Sequence, residues 1–301
     1  MRTLPLFLVL LLGACRQPAD APAETGAAAA ADTTVTDDLG RQVTFAHPPA
    51  RVLALAPSLT ETAFAAGAGG LVVAVSPSDT YPASVRALPQ FSTFPLDLER
   101  VVAFRPDVLL ATDQVNRIDD AEALAEAGVP TLFYTFDRLD DVPRVLRAVG
   151  PLLGGDGEAP ARGFERRIAA VRAAVAGAPR PRVLVLVSDE TPYAFGRSSY
   201  VSEAVAAAGG VSVTDAFPEP AAVASEEWTL GVAPEVIVVL SAPYDPAGLV
   251  EHHPVWSSLP AVRAGRVHGL DPDLMSRPGP RLADGIEALA RFLHPERFPA
   301  P

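Results

Sequence analysis

The chain has 301 residues, a formal net charge of −12 and 49% hydrophobic residues. This apolar content excludes an intrinsically disordered chain, and the negative charge excludes nonspecific binding to nucleic acid. All 24 basic residues are arginine, so the chain has no lysine for a Walker phosphate loop or for a pyridoxal Schiff base. The single cysteine excludes an internal disulfide framework and a cysteine-rich zinc site.

The first fifteen residues have the pattern of an export signal. The apolar run at residues 4–12 is too short to span a bilayer, which requires about 20 apolar residues. Gly13 and Ala14 stand directly before Cys15, and this pattern resembles the lipobox of bacterial lipoproteins, in which the cysteine carries the lipid. We therefore expect residues 1–15 to be a lipoprotein signal segment. A plain secretory peptide is the alternative, and it also predicts export.

Residues 16–34 are rich in Ala, Pro and Thr and show no apolar periodicity. Such a segment is typical of a flexible tether. We expect it to connect the lipid anchor at Cys15 to a folded body outside the cytoplasm, either on the periplasmic side or on the outer face of the cytoplasmic membrane.

From residue 35 onward, strand-like and helix-like patterns alternate. Short valine- and leucine-rich runs fit buried strands, and apolar residues three or four apart fit helices. This alternation predicts a parallel sheet covered by helices, which we assign to an N-terminal lobe at residues 35–155. Its predicted elements are a hairpin at 35–45, strands at 51–56, 71–75, 108–111 and 131–134, and helices at 60–66, 98–103, 119–127 and 139–149.

A long amphipathic helix is predicted at residues 159–178, within a connecting segment at 156–180. It carries Phe164, Ile168, Val171 and Val175 on one face, with charged residues between them. A second series of strands and helices follows, and it predicts a C-terminal lobe. The elements of that lobe, residues 181–301, include strands at 183–187, 236–240 and 266–270 and a helix at 282–293.

The expected fold class is therefore α/β, with two Rossmann-like lobes that have central parallel sheets and are joined by a single long α-helix. Ligands of such sheets bind at the carboxyl ends of the strands. We expect a ligand cleft between the lobes.

The sequence contains no G-x-S-x-G or H-E-x-x-H motif. The adjacent His252 and His253 could not both face one metal from a helix or strand, so we expect them to lie in a surface loop. An exported α/β hydrolase or lyase stays open as an alternative, because no spacing decides for or against it. Its candidate groups are Ser58, Asp79, Asp113 and Asp273, with His268 or His47.

Four segments carry a resemblance to a known family. They are RVLALAPSLTE at 51–61, STFPLDLERVVAFRPD at 92–107, YAFG at 193–196 and SRPGPR at 276–281. In this order they resemble the substrate-binding proteins of ABC importers for cobalamin, haem and ferric siderophores, whose two lobes are linked by one rigid helix. The resemblance spans nearly the whole chain after residue 35 and is greatest for the cobalamin-binding branch.

The resemblance implies a non-catalytic, monomeric receptor that captures a small metal chelate and delivers it to an ABC permease. It requires no catalytic cofactor, and the implied cargo is cobalamin or a related corrinoid. It places the ligand contacts at Pro57, Ser58, Tyr81, Phe94, Tyr193, Phe195, Asp273, Leu274 and Arg277.

Tyr81 leaves the cargo open. It resembles both a ring-contacting tyrosine of cobalamin binders and the iron-ligating tyrosine of haem binders, so haem or a ferric siderophore is the alternative cargo. Cobalamin binders often place tryptophan where this chain has Phe94, Ala221 and Leu274, whereas Trp228 and Trp256 lie elsewhere and are expected in the core.

The resemblance also implies that one glutamate on each lobe docks into an arginine pocket of the permease, because a carboxylate and a guanidinium form a bidentate, orientation-fixing pair. These glutamates fall on Glu99 and Glu227, and the neighbouring Glu226 leaves the second assignment open by one residue. Because a stiff connecting helix would hold the cleft preformed, we expect only a small lobe movement on binding.

Overall fold

The computed structural model describes residues 32–197 and 199–298, which belong to one compact unit. The predicted signal segment with Cys15 and residues 16–31 of the predicted tether lie outside the described residues. The last residues of that tether are already folded, because the first strand begins at Thr33. None of the described helices is both long enough and apolar enough to cross a bilayer.

The N-terminal lobe consists of a hairpin and a four-stranded parallel sheet with its helices. The sheet has the strand order β4-β3-β5-β6, and every residue of β5 and β6 is buried because helices cover both faces. The elements are β1 (Thr33–Thr36), β2 (Gln42–Phe45), β3 (Val52–Ala54), α1 (Pro57–Ala65), β4 (Val72–Ala74), α2 (Leu98–Ala103), β5 (Val108–Thr112), α3 (Ile118–Glu126), β6 (Thr131–Tyr134) and α4 (Asp141–Leu152).

The hairpin of β1 and β2 covers an open edge of this sheet. Its turn contains Gly40, whose φ of 77° favours glycine. The backbone N–H of Asp38 donates to the carbonyl of Phe133 on β6, and the Asp37 carboxylate accepts from the backbone N–H of Phe133. The edge strand β6 therefore does not expose all of its unpaired backbone groups to solvent.

The connecting helix is α5 (Glu158–Ala174). Its 17 residues span about 26 Å, and its buried residues include Phe164, Ile168 and Val171, as the sequence predicts. The helix ends a few residues earlier than predicted, before Gly177 with its φ of 73°.

The C-terminal lobe contains a six-stranded sheet. Its strand order is β10-β8-β7-β11-β12, with β9 paired to β7. The elements are β7 (Arg182–Ser188), β8 (Tyr193–Phe195), α6 (Tyr200–Ala207), β9 (Val211–Ser212), β10 (Ala221–Val223), α7 (Glu226–Val232), β11 (Val236–Val239), α8 (Ala247–His252), α9 (Pro260–Arg263), β12 (Val267–Gly269), α10 (Pro272–Met275) and α11 (Leu282–Leu293).

The expected α/β fold of two lobes joined by one helix is confirmed, with one difference in the second sheet. Strands β7, β9, β11 and β12 are parallel, but β8 pairs antiparallel with both β7 and β10. The second sheet is therefore mixed, because the chain turns back directly after β7 instead of crossing over through a helix.

A single hydrophobic cluster runs through both lobes. It contains strand residues of the first sheet such as Val52, helix α5 residues such as Phe164 and Ile168, and strand residues of the second sheet such as Val183 and Val236. Helix α5 packs against α4 on one side and α11 on the other. The connecting helix is thus part of the core rather than a free linker.

Candidate functional site

A cavity of about 260 Å³ lies between the lobes, at the carboxyl ends of β5 and β6 on one side and beside β8 and β10 on the other. The N-terminal lobe contributes the residues that follow β5 and β6, and the C-terminal lobe contributes residues of and around β8 and β10. The lining residues are Asp113, Gln114, Phe136 and Asp137 on one side and Phe195, Ser199, Pro220 and Ala221 on the other.

The charged groups that line this cavity are both carboxylates. Burial, followed by the neighbouring charges of Asp113 and Asp141, raises the pKa of Asp137 above its usual value. On the same side of the cavity, the side-chain amide of Gln114 donates to Asp113 Oδ1 at 3.3 Å and to the Phe136 carbonyl at 3.5 Å. The Phe136 ring is only 1% exposed, so the cavity combines the partly exposed ring of Phe195 with negatively charged hydrogen-bond acceptors.

Polar contacts bridge the lobes at the end of β12. The Thr80 hydroxyl donates to Asp273 Oδ2 at 2.6 Å, and it accepts from Arg277 Nη1 at 2.9 Å. Arg277 Nη2 also donates to the Ser78 carbonyl at 2.9 Å and lies 2.5 Å from Asp273 Oδ1. We call these contacts of Ser78, Thr80, Asp273 and Arg277 the interlobe latch.

A buried ion pair lies beside the latch. Glu61 on α1 is only 3% exposed and accepts from Arg281 Nε at 3.0 Å and from Arg281 Nη2 at 2.6 Å. Burial raises the pKa of Glu61, although Arg281 and Arg277 act in the opposite direction. The Arg281 guanidinium also lies 4.4 Å from the centroid of the Tyr81 ring, which is a cation–π distance.

The structure does not bring the predicted aromatic residues into one cavity. Phe195 lines the interlobe cavity, whereas Tyr81 is 48% exposed and lines a second cavity of about 370 Å³ with Glu61 and Arg281. Phe94 is 76% exposed and Tyr193 is 42% exposed, and neither lines these two cavities.

The remaining predicted ligand residues lie at helix ends. Pro57 and Ser58 form the first turn of α1 rather than the loop that the sequence indicates, because proline is well suited to the first helical position. Leu274 is partly buried on α10, between Asp273 and the latch residue Arg277.

The candidate hydrolytic groups are not assembled. Within the described residues, His268 stacks on Phe292 and His47 lies beside the Pro48 carbonyl, and neither makes a hydrogen bond to Ser58, Asp79, Asp113 or Asp273.

The two candidate docking glutamates lie in first helical turns, one on each lobe. Glu99 is exposed on α2 and Glu227 is exposed on α7. Neither makes an ion pair or side-chain hydrogen bond with other described residues, whereas the neighbouring Glu226 contacts His253 at 3.0 Å.

The predicted surface-loop position of the two histidines is wrong for His253. His252 ends α8 with 40% of its side chain exposed, but His253 is only 7% exposed because its ring is enclosed by Glu226, Asp189 and Trp256. Trp256 is fully buried, as expected, and Trp228 is partly buried against Phe217.

Ser199, Pro220 and Ala221 of the C-terminal lobe were missed in the sequence as ligand contacts, and so were four residues of the N-terminal lobe: Asp113, Gln114, Phe136 and Asp137. These four directly follow the carboxyl ends of β5 and β6, which is where parallel sheets bind ligands. Asp113 was considered only as a hydrolytic group. The position of these residues after two predicted strands was the signal that could have identified them.

Two α/β lobes, one connecting helix and a cleft at the strand ends define a two-lobed substrate-binding protein. The chain belongs to the periplasmic binding protein family, whose sequence profile matches residues 52–274. The resemblance inferred from the four sequence segments is therefore confirmed, and so is the expectation that the protein is a binding component rather than an enzyme.

Individual relatives agree with this assignment. The chain is 27% identical to YvrC of Bacillus subtilis, an uncharacterised ABC transporter substrate-binding lipoprotein, over 97% of this chain and 96% of that one. It is 28% identical to the vitamin B12-binding protein of Vibrio parahaemolyticus over 80% of this chain and 88% of that protein. The solved haem-binding protein RhuT of Roseiflexus sp. RS-1 is 29% identical, with a TM-score of 0.71 over 82% of this chain and 98% of that one.

Proposed function

We propose that this protein captures cobalamin or a related corrinoid between its lobes and delivers it to an ABC permease, while Cys15 carries a lipid anchor in the cell envelope. The similarity to a vitamin B12-binding protein and to an ABC transporter substrate-binding lipoprotein supports this proposal.

The observation that carries the choice of cargo is the chemistry of the interlobe cavity. Phe195 offers aromatic surface to a flat ring system, and Asp113 and Asp137 offer hydrogen-bond acceptors. The rim of a corrinoid carries primary amides, whose N–H groups suit carboxylate acceptors. The rim of haem carries two carboxylates, which Asp113 and Asp137 would repel, since no lining residue of this cavity is basic.

The cleft must widen for a whole tetrapyrrole to enter. Its volume of about 260 Å³ is below the roughly 300–1,000 Å³ of ordinary small-molecule pockets. We propose that the interlobe latch opens on binding, which frees Asp273 and Arg277 to contact the cargo together with Leu274. The continuous core through α5 would keep the movement small.

The other ligand residues would then border the widened cleft. Tyr81, Phe94 and Tyr193 are the exposed aromatic side chains that we propose to cover the cargo, and Pro57 and Ser58 would contact it from the first turn of α1. Phe195 already lines the cavity.

Haem is the second candidate cargo, and one observation favours it. Tyr81 is half-exposed and has the Arg281 guanidinium over its ring, a setting in which a phenolate ligand to ferric iron is electrostatically supported. In that case Tyr81→Phe would shift the Soret band of the haemin complex, and an unchanged spectrum would remove this candidate.

The test of cargo is a calorimetric titration of the chain lacking residues 1–15 with cyanocobalamin, haemin and a ferric hydroxamate siderophore. We expect saturable, tight binding of cyanocobalamin and much weaker binding of the other two. Tight binding of haemin alone would replace the corrinoid proposal by the haem proposal, and no binding of any of the three would refute both.

We further propose that Glu99 and Glu227 dock into the permease, as a monomeric receptor would present one carboxylate on each lobe. Exchange of Glu99→Arg together with Glu227→Arg should abolish cellular uptake of radiolabelled cobalamin without changing its binding in vitro. Glu122→Arg on α3 is the control, since this exposed glutamate lies outside both docking helices. Undiminished uptake in the double variant would contradict the docking role.

A further inference from the structure

His253 lies in the C-terminal lobe at the junction of three segments. Its Nδ1 is 3.0 Å from Glu226 Oε1 on α7, and its Nε2 is 2.7 Å from the carbonyl oxygen of Asp189 at the end of β7. The ring also stacks on Trp256, with the centroids 4.2 Å apart and the planes at 28°. With 7% of its surface exposed, the ring is closed off from most of the solvent.

The partners of the two ring nitrogens determine the charge of His253. A carboxylate and a backbone carbonyl can only accept a hydrogen bond, whereas a neutral imidazole has one nitrogen that donates and one that accepts. Both contacts are satisfied together only when both nitrogens carry a proton. The geometry therefore fits an imidazolium, in which both ring nitrogens donate.

Further titratable groups lie around this ring. Asp189 Oδ2 accepts a hydrogen bond from the Tyr244 hydroxyl at 2.9 Å and lies 3.5 Å from Nδ1 of His252. Burial and the Asp189 carboxylate raise the pKa of Tyr244, so that its hydroxyl remains a donor. The carboxylates that face the cluster are thus Glu226 from α7 and Asp189 from the end of β7.

We propose that His253 is a positioning residue of the docking surface: as an imidazolium it fixes the first turn of α7 to the end of β7 and holds Glu226, so that Glu227 is presented to the permease. This inference rests on the proposed docking role of Glu227. The inference further states that the position of Glu227 depends on pH. A neutral His253 can keep only one of its two hydrogen bonds, so α7 is then held by fewer bonds.

The two tryptophans of the chain provide a direct readout. A protonated imidazole stacked on an indole quenches its fluorescence, and a neutral one does so much less. In the variant Trp228→Phe, Trp256 is the only tryptophan, and we expect its emission to rise as the pH is raised from about 5 to about 9. Adding His253→Gln should remove this rise, whereas adding Glu226→Gln, which leaves the histidine stacked on Trp256, should keep it.

The effect on α7 is measured by hydrogen exchange of the peptide that spans α7, corrected for the intrinsic pH dependence of exchange. Protection should fall several-fold above the fluorescence midpoint in the parent chain and be low at every pH in His253→Gln. Glu226→Gln serves as the second variant, because it leaves the stacked histidine and tryptophan in place should His253→Gln fold poorly.

A flat fluorescence profile in Trp228→Phe would overturn the proposed pH dependence, and unchanged protection of α7 in His253→Gln would overturn the positioning role. Both measurements use the chain without cargo or permease. A negative result in these two measurements is therefore distinct from a negative result in the cargo titration. The latter would refute the proposed function but would not bear on the protonation of His253.

Discussion

Glu61 on α1 and Arg281 before α11 form a bidentate ion pair across the two lobes, with N–O distances of 3.0 Å and 2.6 Å. The carboxylate is almost fully buried, while the Arg281 side chain retains 17% of its exposure. An ion pair of this kind orients the groups it joins, but the cost of removing its charges from water offsets much of the attraction.

Two replacements of Glu61 should therefore differ in stability, because one removes only the negative charge and the other also removes the hydrogen-bond acceptor. Glu61→Ala leaves the guanidinium without a partner and is expected to lower the free energy of unfolding by about 3 kcal/mol. Glu61→Gln keeps an acceptor oxygen and should cost clearly less. Urea unfolding followed by tryptophan fluorescence measures both, and Glu165→Gln in the exposed pair with Arg147 is the control, with little expected change. Equal losses for Ala and Gln would contradict this account.

The raised pKa of Glu61 predicts a pH dependence of stability. Between its usual value of 4.5 and its higher pKa in the folded protein, the folded state binds more protons at this site than the unfolded state. Protonation of Glu61 therefore stabilises the folded state. This stabilisation is complete below pH 4.5 and is lost as the pH rises through the folded-state pKa of Glu61. The parent protein should lose stability relative to Glu61→Gln over this window, and parallel pH profiles of the two proteins would refute the assignment.

The acidic cavity predicts how cargo selection can be changed. Replacing Asp113 and Asp137 together by asparagine removes two negative charges that repel a dicarboxylate porphyrin. In a solvated cleft, each charge weakens the binding of such a porphyrin by about 1 kcal/mol. Haemin affinity should rise by about tenfold or more, and cyanocobalamin affinity should fall slightly, because neutral acceptors form weaker hydrogen bonds. Calorimetry with both ligands tests this, with the exposed Asp119→Asn on α3 as the control. Unchanged haemin affinity would show that these carboxylates do not select the cargo.

The interlobe latch predicts a kinetic effect of Thr80. Thr80→Val keeps the size of the side chain but removes the hydroxyl that bonds to both Asp273 and Arg277 on the other lobe. If the latch must open before the cargo enters, cyanocobalamin should associate several-fold faster with this variant in a stopped-flow experiment. Thr34→Val in the hairpin, far along the chain from the latch, is the control. An association rate that stays the same or falls would mean that the latch does not limit entry.

The architecture was largely predictable because its elements carry strong periodic patterns. The Val-, Leu- and Ile-rich strands β5 and β11 are buried on every residue, and the face of α5 that carries Phe164 and Ile168 lies in the core. Strands β8 and β10 were not predicted, because three residues are too short to show a period. Their antiparallel pairing is what makes the second sheet mixed.

The site was less predictable, since its contacts join distant parts of the sequence. Glu61 and Arg281 are 220 residues apart, and Thr80 and Asp273 are 193 residues apart, so no local pattern indicates that they meet. The same holds for the burial of His253, whose partners Glu226 and Asp189 lie on other elements.

One hydrophobic cluster runs without interruption from β3 through α5 to β11, and it affects how the protein unfolds. Because each half supplies part of the apolar environment of the other, heat or denaturant should melt both in one cooperative transition. A fragment comprising either half alone would expose the faces of α4, α5 and α11 to water, and we expect it to aggregate rather than fold.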